Sequence, residues 1–317
     1  MLIRRPHSWE LPESAVTPDG VAPSRRQMLG GGLALLASAS AAGAQRVDDD
    51  PSMVLYPFAR NDAYPPRGKV TDETLVANYN NFIEFGSGKR IQRAAQALVV
   101  RPWTIRIDGQ VEKPIEMGID DLLRLLPREE RIYRHRCVET WAKVVPWSGV
   151  PLKALLDHVR PLASAKYVRF ETFHDPKMAP GQRSPVYGFP YSEAITIAEA
   201  ANELAFLATG AYGKPLKKQF GAPVRLVLPW KYGFKSAKSV VRISFVEKRP
   251  VSLWEKLQPD EYGFWANVNP DVPHVRWSQE EEEVLGSYSR TKTLIFNGYA
   301  EQVAALYRGL ENEKLFT

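Results

Sequence analysis

Short stretches in which hydrophobic and polar residues alternate dominate the chain after residue 68. Residues 103–107 alternate and precede Asp108 and Gly109, a dipeptide typical of hairpin turns. Residues 131–138 alternate as well, and they predict a strand that carries the only cysteine, Cys137. Further strands are predicted at residues 167–173, 224–228 and 239–246.

The helical patterns are few and short. Asp120 is in position to cap a helix over residues 121–126, and Pro151 stands at the first turn of a helix that ends near residue 159. A third helix is predicted over residues 301–310. Regular alternation of strand and helix is absent, which argues against a doubly wound nucleotide-binding fold. The pattern predicts an α+β domain over residues 69–317, with mixed or antiparallel sheets, after an irregular arm over residues 45–68.

The first 44 residues have the pattern of an export signal. Arg25 and Arg26 precede a weakly hydrophobic run over residues 30–39, and small residues at 42–44 offer a cleavage site. An ordinary secretory signal or a membrane anchor is the alternative, but the run is short and no later stretch reaches 18 apolar residues. We therefore expect a twin-arginine signal and export of the folded protein to the periplasm.

Charge and cysteine content narrow the chemistry. The chain has 317 residues and a formal net charge of +6, and Cys137 is its single cysteine, which excludes an intrachain disulfide and any cysteine cage for zinc or iron–sulfur clusters. Residues 214–249 hold ten Lys and Arg and one acid, so the positive charge is concentrated in one segment. Basic and aromatic residues interleave there, as on nucleic-acid-binding surfaces, but export argues against a nucleic-acid partner.

Several common catalytic motifs are missing from the sequence. The residues after 44 contain no dinucleotide-binding glycine motif after a strand, no P-loop, no zinc-protease histidine pair and no nucleophile elbow. A Cys-x-x-Cys-His haem-attachment motif is absent too. Most of the familiar enzyme classes are thereby disfavoured.

Cys137 is the first candidate for chemistry. A single cysteine in a strand is most often a small buried hydrophobic residue. Arg134, His135 and Arg136 surround it with positive charge, which would stabilise a thiolate, the form that soft metals bind. We also expect a tight turn within residues 144–149 to end the strand and leave Cys137 facing a cleft.

Two other segments have the composition of binding sites. Arg225, Lys235 and Lys238 lie around an aromatic, glycine-containing turn and could neutralise a phosphate, although a solvated charged edge strand is the alternative. Residues 78–85 place asparagines between aromatic residues, which suits either hydrogen bonds to a heteroaromatic ligand or a simple turn.

Taken together, these segments resemble the molybdoenzymes of the sulfite-oxidase fold, and among them the periplasmic protein-methionine-sulfoxide reductase catalytic subunits. The resemblance covers nearly all of the chain after the signal. The matching segments are Tyr79-Asn80-Asn81-Phe82, residues 130–134, Arg136-Cys137-Val138-Glu139, and residues 144–147, 221–235, 260–264, 267–270, 296–300 and 306–310.

The resemblance implies one molybdenum–molybdopterin cofactor per chain, with the metal held by Cys137 and by the pterin dithiolene. One position departs from the family pattern, because Phe220 stands where relatives carry a polar residue, so its contribution is limited to backbone contact or packing. Glu139 is expected on the same strand face as Cys137, where it would shape or protonate the substrate cleft. The remaining cofactor contacts implied by position are Asn80, Ile83, Glu84, Thr172, Arg225, Ser236, Ala237 and Lys238.

The activity implied by the resemblance is reduction of free and protein-bound methionine sulfoxide in the periplasm, by transfer of the oxygen atom to molybdenum. This would repair oxidised envelope proteins. Electrons would come from a haem-containing integral membrane subunit, since the chain has no haem or iron–sulfur ligands of its own. Sulfite oxidation, with Arg134 or Arg136 binding the anion, and a non-enzymatic exported binding protein remain alternatives. A methionine sulfoxide site should instead have an aromatic mouth, for which Trp141, Trp147 and Trp265 are candidates.

Overall fold

The computed structural model of the chain describes residues 50–287 and 289–316. These residues all belong to one compact unit. The predicted export signal over residues 1–44 lies outside the described residues. No helix within the described ranges combines the length and the hydrophobicity that crossing a membrane requires.

The first of two sheets has five strands and mixed direction. Its strands are β1 (Thr104–Gly109), β2 (Ile115–Gly118), β5 (Tyr167–Thr172), β6 (Ser192–Thr196) and β10 (Val240–Val246), in the order β2-β1-β10-β5-β6. The central strand β10 runs parallel to β1 and antiparallel to β5, with Ile243 opposite Ile107 on one side and Phe170 on the other.

The second sheet is built around the long strand β4 (Trp141–Pro151). Strand β4 pairs antiparallel with β3 (Glu129–Arg136) along its whole length and with β7 (Phe206–Ala211) over its second half. Ten of its eleven residues are buried, so β4 lies in the interior of the molecule. The sheet is completed by β8 (Lys214–Pro215), β9 (Arg225–Val227), β11 (Glu281–Val284) and β12 (Arg290–Lys292).

The helices are short, as the sequence predicts, but two differ in detail. The helix expected at residues 121–126 is α3 (Ile119–Leu125), whose N-cap is Gly118, and Asp120 lies inside the first turn, where it accepts a hydrogen bond from Arg101. The helix expected at 301–310 is α7 (Ala300–Val303) followed by a 3-10 helix, Ala304–Tyr307. The others are α1 (Glu73–Asn78), α2 (Gln92–Ala95), α4 (Leu152–Val159, capped by Pro151), α5 (Ile197–Ala200) and α6 (Leu253–Leu257).

Mixed sheets and short helices confirm the predicted α+β class. The described part of the N-terminal arm, residues 50–68, contains one 3-10 helix, Pro51–Leu55, and a bridge between Arg60 and Glu130 at β3.

Buried ion pairs account for much of the basic segment. Lys231 and Lys235 lie fully buried and contact Glu199 and Glu193, at Nζ–O distances of 2.5 Å and 2.6 Å. Both glutamates belong to the preceding part of the chain. The prediction that Lys235 helps to neutralise a phosphate is therefore wrong, because its charge is already balanced inside the protein.

Candidate functional site

A cavity of about 680 Å³ opens beside the turn between β3 and β4. Its walls come from five parts of the chain: the loop after α1, the β3–β4 hairpin, residues 186–191, residues 225–238, and residues 254–277, which begin within α6. Cys137 and Glu139 both line it.

Cys137 occupies the first position of a tight turn rather than a strand. Strand β3 ends at Arg136, the Cys137 amide donates to the carbonyl of Trp141 at 2.9 Å, and the Thr140 amide donates to the carbonyl of Cys137 at 3.2 Å. Thr140 adopts a positive φ of 66°, which lets the chain reverse direction. The turn expected at residues 144–149 is wrong, because those residues lie within β4.

The electrostatic environment of the thiol also differs from the prediction. Burial, followed by the charge of Glu139, raises the pKa of Cys137 to about 12. The charges of Lys89 and Arg136 act in the opposite direction, but burial outweighs them, and the guanidinium groups of Arg134 and Arg136 both bind the buried carboxylate of Glu282. A thiolate at this position therefore requires a bound cation such as a metal ion, which deprotonates a coordinating thiol.

Glu139 lies beside Cys137 because of the turn, and not because the two share a strand face. One carboxylate oxygen of Glu139, Oε2, lies 3.6 Å from Cys137 Sγ. The same oxygen accepts hydrogen bonds from Asn81 Nδ2 at 3.0 Å and Trp141 Nε1 at 3.1 Å, and it forms an ion pair with Lys89. Burial alone would raise the pKa of Glu139, but these donors lower it, so the carboxylate is ionised at neutral pH.

Three cationic side chains also line the cavity. Arg225 donates to the carbonyls of Phe220 at 3.0 Å and Ser236 at 3.2 Å, and burial lowers its pKa to about 9. Burial lowers the pKa of Lys238 as well, and it lowers that of Lys143 to about 7, with the neighbouring charges adding to the effect. Neither lysine ammonium has a hydrogen-bonding or ion-pairing partner within residues 50–287 and 289–316, although Glu84 acts on Lys238 through its charge.

One acidic side chain shares this region. Glu84 is buried in the cavity wall, where it accepts a hydrogen bond from Thr172 Oγ1 at 3.3 Å. Burial raises the pKa of Glu84, so this carboxyl group offers little negative charge to the cations around it.

The structure brings most of the predicted cofactor contacts to this cavity. Thr172 and Phe220 do not line it: Thr172 contacts it through Glu84, and the carbonyl of Phe220 holds Arg225. Lys143 lines it and was missed, because β4 lacks the alternation that would have predicted a strand. The predicted residues that do line the cavity are Asn80, Ile83, Glu84, Cys137, Glu139, Arg225, Ser236, Ala237 and Lys238.

Aromatic side chains form the outer part of the cavity. Trp141 lines it as predicted, whereas Trp147 is buried beneath the sheet and Trp265 lies elsewhere. Trp277 lines the mouth and its indole Nε1 donates to the carbonyl of Val138 at 2.8 Å. The other aromatic members of this wall are Tyr187, Phe234, Trp254 and Tyr262.

These features fit an anionic, metal-bearing cofactor. The described residues contain no group of three or more His, Cys, Asp or Glu side chains arranged to hold a metal ion, so Cys137 needs ligands from a bound molecule. The positive charge of Lys143, Arg225 and Lys238 exceeds what the buried carboxyl group of Glu84 offsets, so an anionic ligand would be favoured beside them. A metal-bearing pterin with an attached phosphate supplies both.

Comparison with known proteins identifies the class. Residues 93–254 match the family model of the oxidoreductase molybdopterin-binding domain, so the chain is a molybdopterin-dependent oxidoreductase.

Full-length relatives define a narrower family within this class. The chain belongs to the family of protein-methionine-sulfoxide reductase catalytic subunits, MsrP. It is 47% identical over 315 residues to the MsrP of Xanthomonas axonopodis pv. citri, an alignment that covers 96% of this chain and 98% of that protein. The MsrP of Xanthomonas campestris pv. campestris is 46% identical over 314 residues, covering 96% and 97%.

A solved structure, the sulfane dehydrogenase SoxCD from Paracoccus pantotrophus, aligns with a TM-score of 0.45 and 18% identity. The alignment covers 71% of this chain and 64% of that one. This similarity is too distant to support an argument about the site.

Proposed function

We propose that this chain is a molybdenum-dependent reductase of free and protein-bound methionine sulfoxide. The observation that carries the proposal is the single cavity in which Cys137, an uncompensated cationic wall and an aromatic mouth meet. The membership in the MsrP family supports the same reaction.

The cofactor, when bound, supplies the two-electron chemistry that removes the sulfoxide oxygen. The protein contributes a thiolate ligand at Cys137 Sγ and cations at Arg225 and Lys238 that offset the negative charge of the pterin phosphate. Ser236 and Ala237 line the wall between these two cations, where the phosphate is expected to lie.

The substrate side of the cavity suits a neutral sulfoxide. The side chain of methionine sulfoxide is apolar apart from its S–O group, and the aromatic faces of Trp254 and Tyr262 provide the contact that such a side chain needs. Glu139 is ionised, so its role is to hold the donors Asn81 and Lys89 at the mouth of the cavity.

The side chains on the substrate side of the cavity support sulfite oxidation less well than sulfoxide reduction. The two arginines expected to bind the anion, Arg134 and Arg136, are both engaged with Glu282. Arg276 lines the mouth but forms an ion pair with Glu261 at 2.5 Å. A sulfite dianion would therefore meet aromatic rings and the Glu139 carboxylate, which opposes its binding.

The cellular setting is part of the proposal. Both Xanthomonas relatives are named catalytic subunits, which implies a partner subunit. We propose that this partner is a haem-containing integral membrane protein that delivers electrons, and that oxidised periplasmic proteins are the substrates. The twin-arginine pattern before residue 45 supports export of the folded protein to the periplasm, at the inner membrane.

The test is to purify the exported protein and to measure its molybdenum and pterin content. Reduction of free and peptide-bound methionine sulfoxide is then assayed with a reduced artificial electron donor, beside oxidation of sulfite. We expect sulfoxide turnover by the parent and loss of both metal and turnover in Cys137→Ser. A folded parent without molybdenum would disprove the proposal, and turnover of sulfite alone would replace it with the sulfite oxidase alternative.

A further inference from the structure

Lys143 is a buried lysine whose charge faces the cavity. It lies near the start of β4, is 3% exposed, and is directly opposite His135 on β3. Its Nζ lies 5.4 Å from the centre of the Trp141 ring. Arg225 and Lys238 on the cavity wall add positive charge to its surroundings, and the acidic group that acts in the opposite direction is the Cys137 thiol.

The contrast with the other buried lysines of this chain is informative. Lys231 and Lys235 are buried to the same degree, and each has a glutamate within 2.6 Å of its Nζ. Lys143 has no such acid among the residues that the structure describes. A buried ammonium without a counter-ion costs several kcal/mol of stability, which is why burial lowers the pKa of Lys143. An anion bound in the cavity would favour the charged form and gain an ion pair with it.

We propose that Lys143 is a further binding residue for the anionic molybdopterin cofactor, acting beside Arg225 and Lys238. Its ammonium and theirs form one cationic wall that faces the same cavity as Cys137. The inference rests on one part of the proposed function, which is that the cofactor binds in this cavity.

The experiment compares holoproteins that differ at position 143. Lys143→Met removes the charge and keeps the length of the side chain, Lys143→Arg keeps the charge, and Lys113→Met is the matched control at an exposed lysine. Molybdenum and pterin per chain are measured after purification. The rate of pterin release is then followed by fluorescence, and the thermal midpoint is measured with and without the cofactor.

We expect Lys143→Met to release the cofactor about 10-fold faster than the parent, because a charge-assisted hydrogen bond is lost. Its cofactor-free form should melt at the same temperature as the parent or higher, because an unpaired buried charge has been removed. Lys143→Arg should restore most of the retention, and Lys113→Met should match the parent. A role in packing alone predicts instead a lower midpoint in the cofactor-free form and an unchanged release rate.

An unchanged release rate in Lys143→Met would overturn the inference. If Lys143→Met does not fold, Lys143→Gln replaces it. Cofactor retention by Lys143→Gln equal to that of Lys143→Arg would then overturn the inference. A parent protein without molybdenum and pterin would instead refute the proposed function, so the two failures are distinguishable.

Discussion

Glu282 forms ion pairs with two buried arginines, Arg134 and Arg136. Its replacement tests how much these ion pairs stabilise the protein around the Cys137 turn. The Glu282 carboxylate binds Arg134 through one oxygen and Arg136 through the other, the latter at 2.7 Å, and its side chain is 0% exposed. Arg136 also donates to the carbonyl of Cys137, so the pair supports the turn that presents the thiol.

Glu282→Gln keeps the shape of the side chain and removes the charge. Two buried guanidinium groups would then lack a counter-ion, and breaking a buried pair in this way costs about 3–5 kcal/mol. For a domain of this size, such a loss corresponds to a fall of roughly 6–20 °C in Tm.

The assay is urea unfolding, followed by circular dichroism, of parent and variant proteins with matched cofactor content. Glu281→Gln is the control, because Glu281 is the preceding residue on β11, is 56% exposed, and has its Arg290 partner 3.5 Å away. We expect this control to change the free energy of unfolding by no more than about 0.5 kcal/mol. Equal transition midpoints for the two variants would refute the reasoning.

Two further changes test the mouth of the cavity and the first sheet. Lys89→Met removes the ion pair with Glu139, and we expect kcat/KM for methionine sulfoxide to fall about 10-fold at unchanged molybdenum content, whereas Lys113→Met should have no effect. An unaltered kcat/KM would exclude a positioning role for Lys89. Asp108 is partly desolvated, but hydrogen bonds from Ser244 and Arg242 lower its pKa below the ordinary value of 3.8. Its ionised form therefore stabilises the fold fully above pH 3.8, and this stability is lost as the pH falls from 3.8 through the lower pKa of the folded state. The Tm difference between the parent and Asp108→Asn should be largest at neutral pH and should shrink below pH ~4; a constant difference would contradict this assignment.

The alternating strands could be predicted from the sequence, but the most central one could not. Strand β3 was predicted at residues 131–138 and lies at Glu129–Arg136. Strand β4 is buried on both faces, so its sequence does not alternate, and Pro146 and Gly149 gave it the composition of a turn. Because strand β4 was not predicted, the turn was expected at residues 144–149 instead of directly after Cys137, and Lys143 was not recognised as a cavity residue.

Pairing between distant charges was also invisible in the sequence. In the sequence, the basic residues of 214–249 resemble a single cationic surface. In the structure, Lys235 binds Glu193, which lies on strand β6, 42 positions earlier in the chain. Such pairs depend on which strands become neighbours, and the strand order is not encoded in local patterns. The resemblance to a known family supplied most of the cavity residues, whereas local composition alone left Asn80 and Arg225 among several open alternatives.

The walls of the cavity are contributed by parts of the chain as far apart as Asn80 and Trp277. No single hairpin or helix contains enough of the site to bind a ligand, so the cavity is complete only once these distant parts have come together. A cofactor held there binds the native state and not the unfolded chain, and its binding free energy adds directly to the free energy of unfolding. Retention of the cofactor is therefore a measure of folding for the whole domain, and a chain that has bound it has by that fact completed its tertiary structure.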